Sequence, residues 1–87
     1  ISHLSQELGG RVGDHAGRWE TSVLMAMRSE LVDLSRLNPD RSTWPAGVGG
    51  EDPRDADADF GKRAVDAMID AMVEKSDELL KQAGIQR

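Results

Sequence analysis

Five consecutive apolar residues, Val23-Leu24-Met25-Ala26-Met27, lie in a helix-forming stretch and narrow the choice of folds sharply. The spacing predicts a helix over 19–28 with hardly any polar face, so this helix should be buried on most sides. A helix that is apolar all round needs partners on every side. The chain offers one other long helix, predicted over 53–83. Further layers are therefore expected from another chain or from a missing N-terminal segment. Met25 and Met27 read as core filler rather than as ligands.

Composition points the same way. The 87 residues allow one small domain, and 38% of them are apolar, with one Phe, two Trp and no Tyr. A chain of this size buries only about 60–65% of its unfolded surface, so the supply is lean for a self-sufficient core. The chain begins at Ile1 rather than Met, and it is expected to be a piece of something longer, by proteolysis or by processing. There is no cysteine, so disulfides and thiolate metal sites are excluded. A reducing, cytoplasmic location is expected. The net charge of −5 argues against a nucleic-acid backbone or an anionic membrane as partner. No apolar run approaches the ~18–20 residues of a membrane-spanning helix, and no signal-peptide pattern appears.

In chain order, residues 1–8 suit a short helical turn, since Leu4 and Leu8 are four apart. His3 is read as solvated near a terminus, and Gly9-Gly10-Arg11-Val12-Gly13 as a connector. Leu31, Val32, Leu34 and Leu37 fit a helical turn or a short strand. Asn38-Pro39-Asp40, Pro45, Gly47, Gly49 and Gly50 make 38–52 a loop. Gly47-Val48-Gly49-Gly50 lacks the lysine of a phosphate loop and is set aside. Trp44 is expected to plug the loop onto the core, the alternative being a pocket wall or an oligomer contact. Pro53 suits the start of the 53–83 helix, with Asp55 as N-cap. Val65, Met68, Ile69, Met72, Leu79, Leu80 and Ala83 form its apolar stripe, and Gly84 stops it. The five acids from Glu51 to Asp59 lack the calcium-loop order and fit a helix start better.

The chemistry concentrates in Gly13-Asp14-His15-Ala16-Gly17-Arg18-Trp19-Glu20-Thr21-Ser22. Gly13 and Gly17 permit tight turns or a close backbone approach. Glu20 falls in the first turn of a helix, where a negative charge is favoured. His15 stands just upstream, within reach of Asp14 or Glu20. A carboxylate on one ring nitrogen would fix its tautomer and free the other nitrogen for proton transfer. The same residues also suit an ordinary helix entry, with Asp14 or Thr21 as cap and His15 a polar loop residue.

His15-Ala16-Gly17, Glu20-Thr21-Ser22, the Leu24-Met25-Ala26-Met27 helix and Glu30-Leu31-Val32 resemble the C-terminal part of the creatininase (creatinine amidohydrolase) family. A second block, Gly50, Asp52-Pro53-Arg54, Ala56 and Gly61, is similar to the segment that opens the family's last helix. The resemblance covers about residues 9–83. Three positions depart from the pattern: Ser29 stands where Pro is usual, Glu51 interrupts the Gly-Asp-Pro run, and Arg18 takes an often acidic place.

The resemblance implies an α/β fold. The chain would be the C-terminal piece, with two main helices, short extended segments and a long loop, of a three-layer α/β/α domain completed elsewhere. Within it, 1–18 would be the active-site approach loop, 19–28 the buried helix, 38–52 the loop and 53–83 the C-terminal helix. The 31–37 segment would be extended. The implied activity is metal-dependent hydrolysis of an amide-like C–N bond in a small polar, cyclic or open substrate. A metal-activated water would attack the carbonyl. His15 would be the general acid, oriented by Glu20 or Asp14, with Asp14, Gly17 and Trp19 on the substrate side. Two divalent ions, zinc or manganese, would sit on a companion polypeptide carrying the N-terminal half, because the Glu-x-His and His-x-Glu segments are missing here. A homo- or hetero-oligomer, hexameric in the family, would follow. The competing expectations are a non-catalytic helical assembly subunit and an independent helical-hairpin adaptor.

Overall fold

The computed structural model describes residues 14–85. The expectations for 1–13, including His3, Gly13 and most of the approach loop, lie outside the described residues. Within them the chain is mostly helical. Helix α1 spans Arg18–Arg28 and helix α2 spans Ala58–Gln82. Short 3-10 turns occur at Ser29–Leu31, Leu34–Arg36 and Pro53–Asp55. No sheet forms among the described residues. Their only β pairing is an isolated antiparallel bridge between His15 and Gly49, so this segment by itself does not display α/β layering.

The 31–37 segment corrects the expectation of an extended run. Asp33 accepts from the Ser35 N–H at 3.1 Å and from the Ser35 hydroxyl, and so caps the second 3-10 turn. Side chains of this type draw the backbone into local turns, and the extended conformation is kept around Val32 and at Leu37. Ser29 has φ −57°, a value that proline also adopts.

The predicted 53–83 helix is broken at its start. Asp52 caps the Pro53–Asp55 turn, accepting from Arg54 N–H at 2.9 Å. Ala56 and Asp57 are extended. Asp57, not Asp55, is the N-cap of α2 and accepts from Phe60 N–H at 2.7 Å. At the far end Gly84 is left-handed, with φ +76°. Its N–H reaches Lys81 O at 3.0 Å and Ile85 N–H reaches Leu80 O at 2.8 Å, which is the Schellman closure expected of a glycine stop.

The helices meet over a small core of Trp19, Phe60 and Ala64, with Val23 and Met68 against it. Trp19 and Phe60 rings lie edge to face, 6.0 Å apart and inclined at 80°. At the crossing, a Cβ on Gly61 would stand 1.8 Å from Ser22 O. Only a residue without a side chain lets the backbones approach so closely. The packed face of α2 is therefore Phe60, Gly61, Ala64 and Ala67. The expected stripe is not the buried one: Ile69, Met72 and Leu79 are exposed. Within this chain α1 is not buried on most sides either. Trp19 and Ser22 are its buried residues, while Met27 is 66% exposed.

Candidate active site

The start of α1 is held by an unusual set of partners. Gly17 precedes the helix and offers no side-chain cap. Its place is taken by Asp14, whose carboxylate accepts from Trp19 N–H at 2.7 Å and Glu20 N–H at 3.1 Å. Arg18 N–H donates to Glu51 O at 3.0 Å, and Thr21 N–H to Gly17 O at 3.0 Å. The last of these is the first intrahelical bond, and the N–H groups of Arg18, Trp19 and Glu20, which a helix start leaves without intrahelical partners, are all satisfied, with a negative charge at the positive end of the dipole. A Cβ on Gly17 would lie 2.5 Å from Asp14 Oδ2 and 2.6 Å from Glu51 O. Glycine is needed there for the carboxylate and the carbonyl to reach the helix.

Glu20 bends back in the opposite direction and accepts from Ala16 N–H. Ala16 is left-handed, with φ +55°, a conformation that ordinarily costs an alanine about 1–2 kcal/mol and is held here by the carboxylate. Asp14 and Glu20 are therefore both engaged by backbone N–H groups. Neither is hydrogen-bonded to the His15 ring, contrary to the expectation that one of them orients it. The His15 side chain is exposed and has no side-chain partner among the described residues. Its main chain, in contrast, is fixed: N–H and C=O both bond Gly49, at 2.9 Å each.

The other half of the motif secures the second helix. Ser22 is fully buried, and its hydroxyl accepts from Asp57 N–H at 3.0 Å. The motifs contain Ser22 and Gly61 but do not by themselves show these packing roles, and Phe60 lies outside both motifs. Ser22 falls three residues after Trp19 and shares its face, while Gly61, Ala64 and Ala67 form a row of small residues at helical spacing. That row was the available signal.

Arg54 organises the loop. Its guanidinium binds the Asp52 carboxylate through Nε and Nη2, both at 3.0 Å, and the carbonyls of Asn38 and Asp40 through Nη1, both at 2.8 Å. The contact holds the Asp52 carboxyl below the usual carboxylate range, with Arg41 adding to the effect. Asp40 is likewise lowered, chiefly by hydrogen bonds from Ser42. Trp44 does not plug the loop onto the core. It is 49% exposed, and its indole N–H donates to Val48 O at 2.8 Å, closing the loop on itself. It also walls an open cleft of about 580 Å³ with Arg18, Glu51, Asp52 and Asp55.

Two departures from the family pattern meet in space. Arg18 and Glu51 form an ion pair at 3.5 Å, and the Arg18 guanidinium lies 3.8 Å over the Phe60 ring. The unusual base and the inserted acid thus neutralise one another. On the other side of α1 an open groove of about 470 Å³ begins at Ala16, Glu20 and Thr21 and runs between apolar side chains including Leu24, Leu31 and Val48. Gly17 and Trp19 do not line it; both are buried in the helix junction.

No three His, Asp or Glu side chains converge among the described residues in a way that could hold a metal ion. The donors among the described residues do not fit a metal centre. No helix among the described residues is long and apolar enough to cross a membrane. In comparison with known families, the creatininase profile, described as creatinine amidohydrolase, matches residues 3–76. No curated protein and no solved structure matches the chain.

Proposed function

The chain belongs to the creatininase family, and from that premise we propose that it supplies the proton-transfer group of a metal-dependent amidohydrolase. The observation that carries the reading is His15 itself. Its main chain is locked to Gly49 while its ring is exposed and without a side-chain partner among the described residues. An exposed imidazole on a fixed support is an arrangement that suits a general acid. In this reading His15 gives a proton to the leaving nitrogen as the amide-like C–N bond of a small polar substrate is hydrolysed. Asp14, Gly17, Trp19 and Glu20 shape its surroundings.

The divalent ions, zinc or manganese, are assigned in this reading to a companion segment, as the family resemblance implies. That segment would complete an α/β/α domain and cover apolar residues such as Leu24 and Met27, which are exposed in this chain. Oligomer formation, hexameric as the family resemblance implies, belongs to the same proposal. His15→Ala in the metal-loaded assembly tests the reading, with turnover measured on a panel of small lactams and formamides. The expected result is a loss of ~10²–10⁴-fold with metal content retained. Unchanged turnover overturns it. That result would leave a non-catalytic assembly subunit, a reading favoured by the same exposed apolar residues.

A further inference from the structure

We propose that Arg54 is a positioning residue for His15, acting through the loop that carries Gly49; the inference rests on the reading of His15 as the proton donor. Because the His15 ring has no side-chain partner among the described residues, its placement depends on its main chain. That main chain is set against residues 49–51. His15 bonds Gly49 twice, and Arg18 N–H bonds Glu51 O. Between them, Gly50 is left-handed at φ +104°, and a Cβ there would stand 2.5 Å from the Asp14 Cβ. Residues 49–51 are thus a wall that aligns the 14–18 segment.

This wall is the last part of the 38–52 loop, and Arg54 is what closes the loop. The Arg54 side chain is only 7% exposed. One planar fork joins the carbonyls of Asn38 and Asp40, where the loop begins, to the carboxylate of Asp52, where it ends. No shorter or more flexible cation reproduces that geometry. Arg41 adds exposed ion pairs to Asp55 and Asp52, and such pairs contribute little. Without the fork, the loop regains the freedom that closure removed, and Gly49 loses its register on His15. A displacement of about 1 Å is enough to lower turnover ~10²-fold when a catalytic group must meet a bound substrate.

The experiment is site-resolved amide exchange, together with the His15 ring Cε1–Hε1 resonance, on the native assembly with wild-type chain and with Arg54→Ala and Arg54→Gln. The two variants guard against one failing to fold. We expect His15 and Gly49 N–H groups to exchange roughly tenfold faster or more in the folded variants, with a shifted ring resonance and Ala64 and Ala67 N–H groups unchanged. The inference is overturned if His15 and Gly49 keep wild-type exchange, or if all amides accelerate equally, which would be loss of stability alone. Neither outcome depends on turnover. The His15→Ala assay decides the catalytic reading separately.

Discussion

The helix junction and the distal half of α2 are built on opposite terms. At the junction, residues 14–22 and 49–61 exchange hydrogen bonds across the chain, and glycines at 17, 50 and 61 admit backbone or carboxylate where a side chain would collide. Beyond residue 68, α2 has exposed Ile69, Met72, Val73 and Leu79. Polar contacts there include pairs of neighbours along the same helix, such as Lys75 with Glu78 at 3.5 Å and Gln82 with Glu78 at 3.4 Å. The geometry makes this unavoidable: 25 residues of α2 run about 37 Å against about 16 Å for the 11 of α1. The chain's radius of gyration, 16.0 Å, exceeds the ~12 Å of a compact domain this long. Cohesion is concentrated where the family motifs lie, and the helix that extends past them carries exposed apolar surface.

Substitutions should divide along that line. Phe60→Ala should cost about 3–5 kcal/mol in denaturant unfolding, because the ring is 2% exposed and contacts both Trp19 and Arg18. Gly61→Ala should cost at least ~1–3 kcal/mol, since the added methyl must push the helices apart against Ser22. Asp14→Ala should cost about 1–2 kcal/mol, the upper part of the range for a lost N-cap, because two N–H groups lose their acceptor. The acid limb of stability should follow Asp52. Its folded-state pKa is depressed by Arg54, so its contribution is complete above the unfolded value of ~3.9 and fades as pH falls through the folded one. Melting temperature should hold above about pH 5 and drop below about pH 4, and Asp52→Asn should flatten that drop. Met72→Ser should change unfolding by no more than ~0.5 kcal/mol, while weakening association with whatever covers α2. A cost above about 1 kcal/mol in the isolated chain would erase the contrast between the two regions.

The sequence read well where local chemistry decides. The limits of α1, the glycine stop at Gly84 and the helix-start character of the acids near Asp57 follow from capping rules that act within a few residues. It read less well where distant segments meet. Asp55 reads as the cap in the sequence because nothing local shows that Asp52 and Arg54 form their own turn first, which moves the cap to Asp57. The apolar stripe from Val65 to Leu80 carries the helical period, yet the contact with α1 selects the smaller residues Gly61, Ala64 and Ala67, since close approach favours small side chains over large ones. The motif was legible as a unit, but its division of labour was not. Asp14 and Glu20 were expected beside the imidazole, and they bind backbone N–H groups instead.

In that division the acids and glycines of the motif build the helix start, and the proposed proton transfer is left to His15. The most direct measurement is site-resolved amide exchange at Ala16 together with turnover of the metal-loaded assembly, for the wild-type chain and for Glu20→Ala. The expected result is faster exchange of the Ala16 N–H, which loses its carboxylate acceptor, with turnover falling far less than the ~10²–10⁴-fold expected of His15→Ala. Unchanged exchange at Ala16 with turnover lost as fully as in His15→Ala would contradict the assignment of the Glu20 carboxylate to the backbone.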